Sequence, residues 1–171
     1  MAQQPSSARL DAIWDAAMDR MTTQTDLWFE DGEFPKVIQV LKIQNQLYPG
    51  DYDVATDLGW MLGNIELYDQ ELATYLRYKS QNPNDPDRAL PEAQFYFLKR
   101  AYPKVVEILE PIDKTKAHPN NWRILAQAYR RQNMFQDTKR VLEAYLKLHP
   151  DDEAAKANLR KAEEDLNKKS G

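Results

Sequence analysis

Residues 119–150 carry the pattern that most constrains how this chain can fold. Four residues recur at i, i+3, i+4 and i+7, the spacing of one helical face: Trp122, Leu125, Ala126 and Tyr129. A second stripe of the same kind follows after a tight turn: Phe135, Thr138, Leu142 and Tyr145. His149-Pro150 ends it, because proline cannot continue a helix. The stretch therefore predicts two amphipathic helices that face each other across a turn.

The order of residues in this stretch closely resembles a tetratricopeptide (TPR) repeat. Pro49 and Pro83 each follow a helical run and lie 34 residues apart, which is about the period of that family. The segment at 34–38, Phe-Pro-Lys-Val-Ile, recurs two periods later at 102–106 as Tyr-Pro-Lys-Val-Val. We therefore predict an all-α chain. The resemblance implies a TPR-type right-handed α-solenoid of antiparallel helix pairs.

The repeat phase predicts a single TPR solenoid over residues 7–169, after a disordered N-terminus at residues 1–6. Its units span about 18–51, with an N-terminal helical extension, then 52–85, 86–118 and 119–151, and a capping helix follows at about 152–168. The first helix either runs unbroken to Glu30 or breaks near Thr25, and we favour continuity. Pro91 and Pro111 should shorten the helices of the third unit. Trp122 is predicted to be buried.

The composition of the chain argues against a catalytic or metal-binding role. It has no cysteine and only two histidines, His118 and His149, each in a predicted turn, so we expect no metal site, no cofactor and no enzymatic activity. A net charge of −4 is unfavourable for binding nucleic acid. No apolar run reaches the roughly 18 residues of a membrane span. The N-terminus does not resemble a signal peptide, so we expect a cytoplasmic protein, or an exported one if such a peptide has been removed.

The resemblance implies that the first helix of each pair lines a concave, partner-binding groove. The helical spacing and the resemblance together assign eight residues to that surface: Trp60, Asn64, Gln94, Phe97, Arg123, Gln127, Arg130 and Arg131. Asp26 and Glu30 would extend it, so the predicted groove runs from acidic through aromatic to basic. In the alternative interpretation, Trp60 packs against a neighbouring helix or the long N-terminal helix, and Phe97 fills the space left by the shortened third unit. The arginines would then form a solvated face.

The function that these features favour is a protein–protein interaction adaptor or scaffold that binds a peptide or helix of a partner. One alternative is a self-assembling scaffold, a homo-oligomer in which the acidic N-terminal half docks on the basic C-terminal half of the next copy. A second alternative is a secretion-type chaperone, which some TPR proteins of this length resemble. The family's carboxylate clamp does not carry over. Its positions match Thr22, Asp26, Asp57, Asp87 and Pro91, and three aspartates would repel a carboxylate.

Overall fold

The computed structural model describes residues 7–170, and helices make up most of this range. It contains nine α-helices and no strand within those residues. They are α1 (Ser7–Glu30), α2 (Phe34–Leu47), α3 (Tyr52–Asn64), α4 (Tyr68–Gln81), α5 (Leu90–Leu98), α6 (Tyr102–Leu109), α7 (Asn120–Arg131), α8 (Phe135–Leu148) and α9 (Glu153–Ser170). The predicted all-α fold class is confirmed. The N-terminal stretch 1–6, predicted to be disordered, lies outside the described residues.

Local chemistry accounts for the helix boundaries that the sequence left open. α1 runs unbroken through its threonines. The Thr23 and Thr25 hydroxyls each donate to the carbonyl four residues earlier, at 2.9 and 2.8 Å, so these side chains do not compete for the backbone N–H groups of the helix. α5 begins at Leu90 with Pro91 in its first turn, where the missing N–H costs no hydrogen bond. α6 ends at Leu109, two residues before Pro111. The predicted continuity of α1 and the short third pair are both confirmed.

The chain divides into two compact units, Met1–Gln81 and Asn82–Gly171. Unit 1 contains α1 to α4, and unit 2 contains α5 to α9. The boundary falls at the start of a Pro- and Asp-rich stretch, residues 82–87, whose composition is typical of turns. Each unit has a hydrophobic core of its own.

The core of unit 1 is the interface between α2 and α3. Three residues of each helix meet there: Val37, Ile38 and Leu41 against Leu58, Met61 and Leu62. Trp28 near the end of α1 packs on this cluster. The first part of α1 leaves its apolar stripe in water, since Leu10, Ile13 and Trp14 are all exposed. Only the second half of α1 is therefore held by the core.

A glycine permits the close approach of α3 and α4. A methyl group at Gly59 would overlap the ring of Tyr75, which is buried. One turn on, a methyl group at Gly63 would lie 2.6 Å from the Glu71 carboxylate oxygen Oε2. The two small residues thus form a groove on α3 that receives side chains of α4.

Unit 2 is built around α6, α7 and α8. Its core contains one residue set from each: Val105, Ile108 and Leu109; Leu125, Ala126, Ala128 and Tyr129; Val141 and Leu142. Trp122 is only partly buried at the edge of this core, so the prediction that it is buried was wrong. Its indole N–H donates to the Lys114 carbonyl at 2.9 Å. That polar partner lies in the loop after α6, which holds the ring at the periphery.

We expect Gly59→Ala to destabilise unit 1 by about 1–3 kcal/mol, the usual cost of overpacking a core. Alanine would raise the free energy of unfolding by up to about 1 kcal/mol if α3 were unopposed, because it is the better helix former. The sign of the change therefore tests the contact with Tyr75. Urea unfolding of Gly59→Ala, Tyr75→Leu and the double variant measures it. The glycine substitution should cost much less in the Tyr75→Leu background, and equal costs in both backgrounds would contradict the contact.

We expect Trp122→Ala to lower the free energy of unfolding by roughly 2–4 kcal/mol, below the range for a fully buried tryptophan. Trp122→Phe retains the apolar ring but removes the N–H, and it should cost about 1 kcal/mol. Urea unfolding of the two variants separates packing from hydrogen bonding. If both variants unfold like the wild type, the ring does not hold the loop after α6.

Candidate partner-binding surfaces

A cleft of about 920 Å³ opens between α7, α8 and α9 in unit 2. Its apolar lining comes from Ala126, Phe135, Leu142, Ala154 and Ala155, and three of these are buried core residues. Its polar lining comes from Arg123, Gln127, Arg130, Arg131, Asn133, Thr138, Asn158 and Asp165. Three arginines and a single aspartate make this lining positive. We call this surface the α7–α9 cleft.

Asp152 connects all three helices of the cleft. Its Oδ1 accepts the backbone N–H of Ala155 at 2.9 Å, which caps the N-terminus of α9. Its Oδ2 accepts the Tyr145 hydroxyl and an Arg123 N–H, both at 2.8 Å. These bonds to the charged form, that from Arg123 foremost, hold the pKa of Asp152 well below its usual range. The position of α9 therefore depends on an ionised carboxylate.

The three cleft arginines are not equivalent. Arg130 donates to Asp165 of α9 through Nη2 at 2.9 Å and Nε at 3.3 Å. Arg123 is held by Asp152 as described. Arg131 is exposed and forms no hydrogen bond or ion pair with any residue that the structure describes. Two guanidinium groups are thus fixed in place, and the third has all of its donors available to a partner.

The structure places the eight predicted site residues on three helices. Arg123, Gln127, Arg130 and Arg131 come together along one wall of the α7–α9 cleft. Gln94 and Phe97 lie on α5 and do not line it. Phe97 is partly buried against the core of unit 2, with its ring 5.4 Å from that of Tyr102. Trp60 and Asn64 belong to α3 of unit 1.

Trp60 lies in a cluster of three exposed rings in unit 1. Its ring centroid is 6.1 Å from that of Phe29 in α1, and Phe29 is 5.7 Å from Phe34 at the start of α2. The three side chains remain 51%, 44% and 40% exposed, respectively. Trp60 therefore does contact the long N-terminal helix, and about half of it remains available. We call Phe29, Phe34 and Trp60 the aromatic face.

Several residues of these surfaces escaped sequence reasoning. Asn158 and Asp165 lie on the flank of α9 next to its apolar stripe, and treating α9 as a cap hid them. Their spacing of seven residues was the available signal, since it places both on one helical face. Phe29 lies between Asp26 and Glu30, which were assigned to the groove, and the same spacing would have included it. Nothing in the sequence indicated that Arg123 pairs with Asp152, 29 residues away.

Comparison with known proteins supports this assignment of the fold. Residues 119–163 match the family model of the tetratricopeptide repeat. A crystal structure of the MamA protein has a TM-score of 0.66 at 12% identity, over 87% of this chain and 82% of the chain in that structure. A second MamA structure, residues 41 to the end of the protein from Desulfovibrio magneticus RS-1, has a TM-score of 0.60 at 14% identity, over 88% and 91%. No curated protein matches the sequence.

The chain has the tetratricopeptide-repeat fold. The family model covers α7, α8 and the first part of α9, and the MamA structures extend the likeness of fold to most of the chain. The resemblance to TPR proteins is thereby confirmed at the level of the fold. Within the described part of the chain, no group of three or more His, Cys, Asp or Glu side chains could hold a metal ion. None of the helices described is both long and apolar enough to cross a membrane.

The hydrogen bonds of Asp152 predict how the stability of unit 2 changes with pH. The folded-state pKa of Asp152 lies below its unfolded value of about 3.9, so the unfolded chain takes up the proton first as the pH falls. The stabilisation by Asp152 should thus be complete at neutral pH and should decrease progressively as the pH falls below about 4. Urea unfolding of wild type and Asp152→Asn at about pH 7 and about pH 3 tests this.

Asparagine is a matched control here because it caps helices as well as aspartate does, so mainly the charge is lost. We expect Asp152→Asn to be less stable than the wild type at pH 7 and to approach it at the acidic pH. Asp152→Ala also removes the cap and should cost about 0.5–2 kcal/mol more than Asp152→Asn. A wild-type advantage over Asp152→Asn of the same size at both pH values would mean that the ion pair contributes nothing.

Proposed function

We propose that this chain is a TPR interaction adaptor that binds an acidic segment of a partner protein in the α7–α9 cleft. The observation that carries the proposal is Arg131, an exposed guanidinium without a described partner, at the rim of a cleft with an apolar floor. An exposed positive charge at the rim of a binding site attracts an acidic partner and speeds its association. We infer no catalytic role for the chain, since TPR scaffolds are generally non-enzymatic.

The size and lining of the cleft suit a few side chains of a peptide. A volume of about 920 Å³ lies within the usual range of roughly 300–1,000 Å³ for binding pockets. Leu142 and Phe135 offer apolar surface for an aliphatic or aromatic anchor. Gln127, Asn133 and Asn158 offer amide groups that can bond to an extended backbone. The ligand that these groups fit has an apolar residue next to Asp or Glu.

The ion pairs with α9 prepare the cleft for such a ligand. Arg123 and Arg130 are held by Asp152 and Asp165, so their side chains need little further ordering when a partner binds. Asp165 also restricts where the acidic group of the partner can lie, because it repels a carboxylate placed next to Arg130. The partner's acidic group should therefore lie closer to Arg131.

A cleft-filling substitution tests the proposal. Peptides selected by display for binding to the wild type should be enriched in Asp or Glu beside apolar residues. Asn158→Trp fills the cleft from an exposed position and should weaken a selected peptide by about tenfold or more. Glu164→Trp is the matched control, because Glu164 is exposed on α9 and does not line the cleft. Fluorescence anisotropy measures the affinities.

The role of Arg131 is tested with the same peptide. Arg131→Ala should slow association and reduce its dependence on salt, with a loss of about 0–1 kcal/mol in affinity. Arg160→Ala removes an exposed arginine of α9 that does not line the cleft and should leave both unchanged. Equal binding by wild type and Asn158→Trp, or a selection that yields no acidic peptide, would exclude the cleft.

Self-association is a second candidate function, and the distribution of charge favours it. Residues 1–81 hold six Lys and Arg against 13 Asp and Glu, a net charge of −7, and residues 82–171 hold 17 against 14, a net of +3. An acidic unit of one copy could dock on a basic unit of the next. Light scattering from about 50 to about 500 mM salt would show dissociation as screening increases.

A further inference from the structure

The aromatic face of unit 1 is an apolar surface that the fold leaves open. Phe29, Phe34 and Trp60 come from three successive helices, and the Phe29 ring contacts both of the others, yet each remains at least 40% exposed. Contiguous exposed aromatic surface of this kind is uncommon in soluble proteins except where a partner binds. The cluster lies at the C-terminal end of α1 and on the exposed side of α3, away from the core formed by Leu58 and Leu62.

Carboxylates lie beside the aromatic face on both helices. Asp26 precedes Phe29 by three residues in α1, and Asp57 precedes Trp60 by three residues in α3, so each lies on the same helical face as the ring. Both are exposed, and neither forms an ion pair with any residue that the structure describes. Partial desolvation by the surrounding side chains and, next, the nearby charges of Asp53, Asp51 and Asp26 raise the pKa of Asp57. Negative charge is thus concentrated here, and no ion pair among the described residues neutralises Asp26 or Asp57.

We propose that the aromatic face binds a cationic amphipathic segment of a partner protein. An aliphatic side chain of that segment packs against Phe29 and Trp60, while a Lys or Arg reaches Asp26 and Asp57. The same rings attract cations through their π faces, most strongly at tryptophan. Unit 1 already contains one such pairing, since Lys36 lies 5.7 Å from the ring centroid of Trp28.

This surface is independent of the α7–α9 cleft and selects the opposite charge. Anionic ligands, including nucleic acid and anionic lipid, are disfavoured by the net charge of −7 over residues 1–81. The chain would thus hold a cationic segment at unit 1 and an acidic segment at unit 2.

The probe is a labelled helical peptide of about 15 residues, with leucine on one face and lysine on the other. Two companion peptides replace lysine by glutamate, or leucine by serine. Anisotropy should show that the Lys–Leu peptide binds the wild type and that both companions bind about tenfold more weakly or worse.

Trp60→Ser should weaken the Lys–Leu peptide by about tenfold or more. Trp14→Ser is the matched control, because Trp14 is 47% exposed in the same unit and lies 15 residues before Phe29, about 22 Å along α1. Asp57→Asn should make binding less salt-dependent, and Asp11→Asn, at an exposed position near the start of α1, should not. Phe34→Ser removes another ring of the aromatic face and so provides a second test of it. Circular dichroism confirms that each variant is folded.

Three outcomes would overturn the inference. Equal losses of affinity for the Lys–Leu peptide in Trp60→Ser and Trp14→Ser would show non-specific attraction to an acidic protein. The companion peptide with serine in place of leucine would show the same if it bound as well as the Lys–Leu peptide. Loss of self-association in Trp60→Ser, measured by sedimentation of the protein alone, would identify a second copy as the occupant. Asn158→Trp should bind the Lys–Leu peptide like the wild type, so failure of the cleft and failure of the aromatic face can be told apart.

Discussion

Apart from the first part of α1, the apolar stripes of the described helices require a neighbouring helix to cover them. That requirement organises both units. In unit 1, α2 and α3 cover the apolar stripes of each other. The lack of a side chain at Gly59 and Gly63 allows the Tyr75 ring and the Glu71 carboxylate to approach α3 closely. In unit 2, α7 is covered by its neighbours α6 and α8. The two surfaces proposed to bind partners arise where this coverage is incomplete.

The α7–α9 cleft exists because α9 is attached by polar groups as well as by its apolar stripe. The apolar residues that α9 contributes to the cleft are Ala154 and Ala155, whose methyl groups are too small to fill the space that they face. Asp152 and Asp165 then hold α9 against α7 through Arg123 and Arg130. The small residues of α9 leave the cleft open, and the ion pairs between α9 and α7 fix its width. The contacts that hold α9 in place therefore also shape the cleft.

The two proposed surfaces differ in how they would recognise a partner. The α7–α9 cleft is concave, and its arginines are largely fixed before binding, which favours selectivity for geometry. The aromatic face offers rings flanked by carboxylates without a described cation, which favours a cationic segment of varied sequence. A chain with both surfaces could bring two oppositely charged segments together, and this agrees with the distribution of charge between residues 1–81 and 82–171.

The sequence by itself determined the helices, their order and the repeat family, because helical periodicity and proline positions are local properties. It also identified Trp60 and the cleft arginines as surface residues, since the face opposite a core stripe follows from the same periodicity. Only the tertiary structure decided which of them have partners. Asp152 and Arg123 are 29 residues apart, and Phe29 meets Trp60 across 31 residues, so these contacts depend on how helices pack. Trp122 shows the same limit: its place on the core stripe was correct, and a hydrogen bond to the Lys114 carbonyl keeps it at the edge.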